Sequence, residues 1–343
     1  MIDLLDPDLV DRDAILDQLR ASTPIAWRDG RRGPGYWAVT GYPELVAIVR
    51  DPDTFTSYLG TRPEVRRTAE ASRPLHNLDP PAHTEERKLA TRILAPDRWP
   101  ALEPIVRSHI DRFLATPGDA IAGLAVPLVA EVFATWLGVA DPAALAREVE
   151  AVHVAGAAFL DEPAANRAAA AAASSALAER MSRSRAHAEL GPLAVLLVEA
   201  GLPTTIDAIG NGLAAITAPP AHLATAIERS LERAPIQQFA RHATRDVELA
   251  CVAIRAHQQV VLWFGAANRD PRRGDAPHVA FGAGPHRCAG AAFARRILFS
   301  FFTVWFARVS RHVATGERRA SSYMNGYAHL AVAPMAASYG ETM

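Results

Sequence analysis

The chain has 343 residues, half of them hydrophobic, and its 36 basic and 37 acidic residues give a formal net charge of −1. This composition is sufficient for a large buried core and excludes disorder as the default state. The near-neutral charge argues against a dedicated nucleic-acid binder, and a cysteine count of 2 excludes a secreted disulfide scaffold. The acidic N-terminus lacks the basic and apolar regions of a signal peptide, and proline and glutamate interrupt the most apolar stretch, residues 121–140. We therefore expect a soluble, cytoplasmic protein without a membrane span.

Short helix and strand patterns follow one another near the N-terminus. Apolar spacing predicts a helix over residues 11–19, a strand in the segment GYWAVT at 35–40, and a second helix over 43–50. Residues 52–80 contain glycine, proline, serine and threonine without a regular period, which predicts a long loop. Loops of that length are often functional.

The middle of the chain shows helical spacing interrupted by proline, glycine and aspartate. This spacing predicts helices over residues 83–94, 98–115, 119–138, 142–153 and 163–187. The last of them contains the run AAAAAASSALAERM, and alanine has the highest intrinsic helix propensity.

The last hundred residues combine strands with one very apolar helix. A strand-rich patch is predicted near 245–264, a core helix directly after Cys288, and a pair of strands around the turn at 324–326. The whole pattern predicts a mainly α-helical fold with small β-sheets. No linker, charge block or repeat divides the sequence, so we expect one domain over residues 1–343.

The segment FGAGPHRCAG, residues 281–290, is the most informative part of the sequence. Its glycines permit tight turns with positive φ and the close approach of something flat and bulky. Cys288 stands before a predicted helix, whose free N–H groups and dipole favour a thiolate. Zinc needs about four ligands, and no second cysteine or paired histidine lies at a suitable spacing. The pattern therefore favours the metal of a large macrocycle over a zinc site.

The same segment resembles the haem-binding loop FGxGxHxCxG of the cytochrome P-450 family in its soluble bacterial form. Three further segments are similar to parts of that family: residues 78–94, the helix that runs over the haem; residues 267–271; and residues 321–332, the C-terminal hairpin. The resemblance covers nearly the whole chain. It implies a cytochrome P-450-like single domain around a buried haem b, with several loops shortened.

The resemblance also implies a role for each matching residue. Cys288 corresponds to the proximal ligand of the haem iron, and its electron push favours O–O cleavage. Phe281 shields that thiolate, and Gly282 and Gly290 belong to the same cofactor-binding loop. The residues at the positions that hold the two haem propionates are His83, Arg87, Arg241 and His286.

The segment AGLPTT, residues 200–205, matches the family's oxygen-binding helix. In the family an acid and an alcohol in this helix relay protons to the oxygen that is being activated. Thr204 occupies the position of the alcohol, but Pro203 replaces the acid. The residues carried over as catalytic are Ala200, Gly201, Pro203 and Thr204.

Pro203 is the first departure from the family pattern. Proline in a helix interior costs about 3 kcal/mol, so we predict a kink or break over residues 202–204. Residues 204–207 also resemble a capping box. The alternative is that Pro203 merely marks the start of a helix, with protons delivered by water or substrate.

A second departure is a pair of charges with exchanged signs. Arg229 and Glu232 stand where the family has Glu-x-x-Arg. An ion pair at this spacing tolerates reversal, but its outside partner belongs to a region shortened here to residues 272–277. We therefore expect weaker haem retention. A register error of one residue is the alternative, since Glu228 and Arg233 stand next to the pair.

The resemblance indicates a substrate pocket and a partner surface by position. The expected pocket residues are Thr205, Ile236, Phe239, Ala240, Met324 and Asn325. The arginines that would form a basic surface for an acidic ferredoxin-type electron donor are Arg272, Arg273, Arg287, Arg295 and Arg296.

Three functions are compatible with these residues. The leading one is a haem-thiolate monooxygenase that oxidises a C–H or C=C bond of a small natural-product intermediate. The second is atypical haem chemistry, such as peroxide-driven oxidation, ring closure or rearrangement, because Pro203 removes the acid. The third is a haem-free helper that activates a partner enzyme, and the intact cysteine loop argues against it.

Overall fold

The computed structural model describes residues 2–30, 33–63, 74–158 and 163–336. Within these ranges the helices are α1 (Arg12–Ser22), α2 (Tyr42–Arg50), α3 (Ala82–Ile93), α4 (Leu102–Ala115), α5 (Val126–Leu137), α6 (Pro142–Ala158), α7 (Pro163–Ser182), α8 (Arg185–Leu190), α9 (Leu193–Ala215), α10 (Leu223–Leu231), α11 (Phe264–Asn268) and α12 (Ala291–Phe306). The strands in the same ranges are β1 (Ile25–Arg28), β2 (Tyr36–Val39), β3 (Phe55–Thr56), β4 (Gln238–Ala243), β5 (Val247–Leu249), β6 (Val252–Ile254), β7 (Gln259–Trp263), β8 (Val309–Arg318) and β9 (Tyr327–Ala336). A mainly helical fold with small sheets is confirmed.

Most predicted helices are present, with ends that shift by a few residues. The alanine-rich segment predicted over 163–187 is an exception, because it forms the two helices α7 and α8. Ser184 begins the second of them, and its Oγ accepts a hydrogen bond from the N–H of His187 at 3.0 Å. Of the loop predicted over 52–80, residues 64–73 lie outside the described residues.

Contacts divide the chain into two compact units. Unit 1 comprises Met1–Leu89, Glu232–Ala289 and Ala320–Asn325. Its five-stranded sheet has the order β1-β2-β7-β4-β3, in which the β2–β7 pair is parallel and the other pairs are antiparallel. Side chains alternate between the two faces of each strand, so Leu262 and Trp263 of β7 enter different apolar clusters. The prediction of one domain stays a prediction.

Unit 2 comprises Ala90–Leu231, Gly290–Arg319 and Gly326–Met343. Phe293 of α12 packs among three aromatic rings, those of Trp99, Trp136 and Phe133, at centroid distances of 5.2, 4.7 and 6.1 Å. The strands β8 and β9 pair as an antiparallel hairpin, which confirms the two strands predicted around residues 324–326.

The helix α9 continues without interruption through Pro203. The predicted break and the alternative of a helix start at Pro203 are therefore both wrong, and the predicted kink stays a prediction. The hydroxyl of Thr204 donates to the carbonyl oxygen of Ala200, and that of Thr205 to the carbonyl oxygen of Gly201, each at 2.7 Å. In a capping box the hydroxyl of Thr204 would accept a hydrogen bond from the N–H three residues later. Here both hydroxyls donate to carbonyl oxygens one turn earlier. They add hydrogen bonds to the turn in which proline lacks its backbone donor.

Among the described residues, α9 is long and apolar enough to cross a membrane by length and composition. Of its most apolar window, 61% is buried inside the protein. Core helices pass the same test, and α9 is such a helix because it packs against α5, α10 and α12.

Candidate functional site

The cysteine loop, residues 281–290, depends on two glycines for its conformation. Gly282 and Gly284 have φ angles of 67° and 65°, which residues with a side chain rarely adopt. A Cβ atom on Gly284 would also overlap the carbonyl oxygen of Val49. The N–H of Cys288 closes the loop by donating to the carbonyl oxygen of Phe281 at 2.8 Å. The tight turns predicted for this segment are therefore present.

Cys288 is exposed and lies just ahead of Gly290, the N-cap of α12. The dipole of that helix favours negative charge at this end. Burial lowers the pKa of Arg87, while the charge of Cys288 partly opposes that change, so the two groups attract each other. Both effects favour the thiolate form of Cys288.

The described residues contain no group of three or more histidine, cysteine, aspartate or glutamate side chains placed to hold a metal ion. Cys288 supplies one thiolate, whereas a structural zinc ion needs about four ligands. A metal bound at Cys288 has to bring its other ligands with it. A haem iron fulfils this condition, because the porphyrin supplies the in-plane nitrogens.

Four basic side chains of unit 1, His83, Arg87, Arg241 and His286, lie close together and are called the cation cluster below. The rings of His83 and His286 have centroids 4.2 Å apart. The pKa of each histidine is lowered, chiefly by burial and further by the neighbouring arginines, and that of His286 falls to about 2. The histidines are therefore neutral, and the positive charge of the cluster resides on the arginines.

Arg241 is the deeply buried cation of this cluster. Burial lowers its pKa to about 10, and Asp79 is the carboxylate that opposes the change. Asp79 is engaged elsewhere, because its oxygens accept hydrogen bonds from the Thr56 hydroxyl and from the Ser57 N–H. A buried guanidinium needs a compensating anion. The cation cluster therefore fits the two propionate carboxylates of a haem.

The expected pocket residues of unit 1 come together at two places. Ile236 and Met324 form an antiparallel bridge between separate segments. Asn325 lies beside them, with its Nδ2 donating to a backbone carbonyl oxygen at 2.7 Å. Phe239 meets Tyr323 edge to face, with ring centroids 5.8 Å apart.

Ala240 packs in a different place from these residues. Side chains alternate along β4, so Phe239 and Arg241 share one face and Ala240 points to the other. Ala240 is fully buried in an apolar cluster with Tyr36 and Trp263. Its side chain belongs to the core of unit 1, so the predicted contact of Ala240 with substrate stays a prediction that this packing does not favour.

The predicted catalytic residues and Thr205 all lie on α9 of unit 2. Ala200 is exposed, Thr204 half-buried, and Pro203 and Thr205 buried. Gly201 allows α9 to pass close to α5, since a Cβ atom there would lie 2.7 Å from the ring of Phe133. Gly201 therefore has a packing role in this chain.

The pair with exchanged signs finds a different partner from the one expected. Glu232 forms an ion pair with Arg273 at 2.9 Å, and no ion pair joins Glu232 to Arg229, both of them described residues. The shortened segment before the cysteine loop therefore still supplies a partner. Asn268 adds a second link, since its Nδ2 donates to the carbonyl oxygen of Glu232 and its Oδ1 accepts from the N–H of Val279, at 2.9 and 2.7 Å.

Three of the five arginines expected to form a basic surface are paired with carboxylates. These ion pairs are Arg272 with Glu44 and Asp270, Arg273 with Glu232, and Arg295 with Glu228. Each carboxylate offsets the positive charge beside it. The basic surface stays a prediction that now rests on Arg287 and Arg296.

Sequence reasoning missed two acids, the half-buried Asp79 and the buried Asp207. Asp79 lies in the segment similar to the family's haem-covering helix, but no periodicity marks it as a partner of Arg241. Asp207 is fully buried on α9. The sequence alone places Asp207 three residues after Thr204, on the same face of the helix, and this spacing could have identified it as a neighbour of Thr204.

Comparisons with known proteins identify the family of the chain. No family model matches the chain. The chain is 30% identical over 331 residues to a probable cytochrome P-450, 127A1, of Sinorhizobium fredii, which covers 84% of this chain and 79% of the relative. It is 31% identical over 340 residues to cytochrome P-450 CYP199A2 of Rhodopseudomonas palustris, covering 81% and 80%. The crystal structure of CYP108D1 from Novosphingobium aromaticivorans aligns with a TM-score of 0.80 at 22% identity and covers 97% of each chain. The chain therefore belongs to the cytochrome P-450 family of oxidoreductases, which bind haem with a cysteine-ligated iron.

Proposed function

We propose that the chain is a dioxygen-dependent monooxygenase that oxidises a C–H or C=C bond of a small natural-product intermediate. The observation that carries the proposal is the presence, within unit 1, of both an exposed Cys288 and the cation cluster with its buried Arg241. Cys288 binds the haem iron, and the cation cluster holds the two propionates.

The bound haem supplies the activation of dioxygen, so that one oxygen atom enters the substrate and the other leaves as water, with two electrons and two protons consumed. Cys288 contributes electron density to the iron. The loop closed by the Cys288 N–H holds that thiolate in one position. Thr204 donates its hydroxyl proton to the helix backbone, which leaves its oxygen free to accept a hydrogen bond from water.

The pocket side chains support a small and mainly apolar substrate. Ile236, Phe239 and Met324, all in unit 1, offer hydrocarbon and thioether surface. Asn325 is held by its bond to a backbone carbonyl oxygen. Such a lining selects by shape and offers few polar contacts.

Electrons come from a ferredoxin-type donor in the cytoplasm. Arg287, next to Cys288, is exposed and adds positive charge near the thiolate. An acidic donor would be attracted to such a surface, and the rate of association would fall with rising ionic strength. Replacement of Arg287 by glutamate should slow reduction by an acidic ferredoxin but not by dithionite.

Peroxide-driven oxidation is the second candidate, and Pro203 is the observation that favours it. A proline in the intact helix α9 leaves no acid at that position to deliver protons during dioxygen activation. Peroxide brings its own protons and electrons and so needs neither acid nor electron donor. A haem-free helper role is not supported, because the cysteine loop and the cation cluster are both retained.

The Pro203→Glu variant separates the two candidates. The haem-loaded protein is first screened for apolar compounds that shift its absorption spectrum, and each is then tested with ferredoxin and dioxygen or with peroxide alone. If the monooxygenase proposal holds, wild type forms product with dioxygen and the restored acid raises that turnover. Product from peroxide only, in both proteins, contradicts it.

A further inference from the structure

Asp207 of α9 is a buried acid without a hydrogen bond. Its side chain is fully buried, and neither carboxylate oxygen has a hydrogen-bond partner among the residues described. The nearest cation is Arg319, whose Nη2 lies 3.9 Å from Oδ1 of Asp207. Arg319 divides its charge between two acids, since its Nη1 also donates to Glu150 of α6 at 3.0 Å. A carboxyl group in such surroundings holds its proton to a higher pH than an exposed one, because ionisation would leave a poorly compensated charge.

The elements packed against Asp207 leave it little room. The backbone of Gly326 lies so close that a Cβ atom there would overlap the carboxyl group. The charged groups that face Asp207 are Arg318 and Arg319 from the hairpin side and Glu150 from α6. Arg318 is occupied, because its Nη1 donates to Asn211 at 2.6 Å. Burial therefore outweighs the arginines and, together with the charge of Glu150, raises the pKa of Asp207 to about 7.

The position of Asp207 relates it to the predicted oxygen-binding turn. Side chains three residues apart on a helix are neighbours, with Cβ atoms about 5–6 Å apart. A single water molecule spans the gap between two polar groups at such a separation. Asp207 is thus adjacent to Thr204, whose oxygen keeps acceptor capacity, on the helix from which Pro203 has removed the acid.

We propose that Asp207 is the acid that supplies protons to Thr204 through water, in place of the acid missing at position 203. This inference rests on the proposed dioxygen-dependent function. Asp207 gives its proton towards the Thr204 oxygen and later regains one from solvent, so only protons move in this step. Asp207 acts through Thr204 and water, and is therefore a positioning and proton-holding residue.

The first test uses the haem-loaded Asp207→Asn variant with a competent electron donor. We expect product formed per dioxygen consumed to fall by at least about tenfold. In wild type the same ratio should decline as the pH rises through 7, and the variant should lose this pH dependence. Asp246→Asn, which changes an exposed aspartate bound to Arg255, is the matched control and should behave as wild type.

The second test measures whether a new acid at position 203 restores the coupling that Asp207→Asn loses. Adding Pro203→Glu to Asp207→Asn should restore most of the lost coupling, because it returns an acid to the turn below Thr204. A purely structural role for Asp207 would not respond to a carboxyl group placed four residues away. Failure of the rescue overturns the inference.

The third test does not depend on turnover. Infrared difference spectra should show the carbonyl band of a protonated carboxyl group below pH 7 in wild type, and Asp207→Asn should lack it. The same band, assigned by its loss above pH 7, remains measurable in wild type if the variant fails to fold. Absence of the band, or unchanged coupling in Asp207→Asn, overturns the inference alone. A wild-type enzyme that consumes no dioxygen with any substrate overturns the proposed function and this role with it.

Discussion

Arg241 carries a positive charge that the surrounding protein compensates only in part. It is 6% exposed, and Asp79, the carboxylate that acts on it, also accepts hydrogen bonds from Thr56 and Ser57. Charge left over in a buried position raises the free energy of the haem-free protein and strengthens binding of an anion. Stability without haem and affinity for haem therefore impose opposite demands on this residue.

Replacing Arg241 with leucine should lower the affinity for haem without lowering the stability of the haem-free protein. The haem-free protein should be as stable as wild type or more stable, because the desolvated charge is gone. Affinity for haem should fall by about 10-fold to 100-fold, equivalent to the loss of a charged hydrogen bond of about 1.5–3 kcal/mol. Urea unfolding and haem titration measure the two effects, and a variant with unchanged haem affinity would contradict the assignment of Arg241.

Glu232 and Arg273 form an ion pair in the region that matches the family's Glu-x-x-Arg pair. Their side chains are only 33% and 19% exposed, and Asn268 fixes the same stretch of backbone. Glu232→Arg should place two like charges side by side and lower the free energy of unfolding by about 1 kcal/mol. It should also speed haem release.

The exchange Glu232→Arg with Arg273→Glu should recover most of what the single change loses. Haem release into an excess of apomyoglobin, followed by absorbance, gives the rate for each protein. Arg229→Glu is the matched control, because Arg229 and Glu232 form no ion pair within the described structure. Equal release rates in the single and double variants would contradict this link.

At the scale of elements, α9 is where the sequence prediction and the structure differ most. The local rule that proline breaks a helix indicates a break at Pro203, yet the helix continues to Ala215. Packing explains the difference, because Gly201 and Gly212 let the helix lie close against the rings of Phe133 and Phe302. Burial of a helix face outweighs one unfavourable residue.

Pro203→Ala should therefore stabilise the protein without changing its fold. It restores a backbone donor and removes the clash of the proline ring, a gain of up to about 3 kcal/mol. Since no acid is added, coupling of dioxygen consumption to product should stay at the wild-type level. Thermal unfolding and product analysis together check this, and a destabilised variant would mean that the proline fits the turn better than alanine.

The cysteine loop and β4 show what sequence reasoning can and cannot reach. The turns at Gly282 and Gly284 can be predicted from sequence because their positive φ angles favour glycine. The role of Cys288 can be predicted because thiolate chemistry is specific. The strand β4 was not predicted, since its segment QFARHA has no apolar alternation although most of its side chains are buried. Local periodicity does not relate Asp79 to Arg241, because the two are distant in sequence, whereas the spacing of Asp207 from Thr204 is visible in the sequence but its burial is not.

At the scale of the whole molecule, stability should depend on pH through His312. Its Nδ1 accepts from the indole N–H of Trp305 at 3.2 Å, and its Nε2 donates to the carbonyl oxygen of Leu213 at 2.7 Å. Burial lowers the pKa of His312 in the folded protein, so the unfolded chain binds the proton more readily. Folding stability is thus fully present above about pH 6.5, the unfolded value, and is lost as the pH falls towards the lower folded pKa.

The His312→Gln variant should keep one donor and one acceptor but lose this titration. Its free energy of unfolding should vary less between pH 7 and pH 5 than that of wild type, whereas the exposed control His222→Gln should follow wild type. Urea unfolding at both pH values is the measurement. If the free energy of unfolding falls equally between pH 7 and pH 5 in wild type and His312→Gln, another group is responsible for the loss of stability in acid.

The central claim is that the Cys288 thiolate binds the haem iron, and the carbon-monoxide difference spectrum of the reduced protein tests it most directly. Wild type expressed with ample haem should give a strongly red-shifted Soret band. Cys288→Ser, in the same preparation, should give no such band while leaving the cation cluster intact. A wild-type protein that binds haem without the red-shifted band, or a Cys288→Ser protein that retains it, would contradict the account.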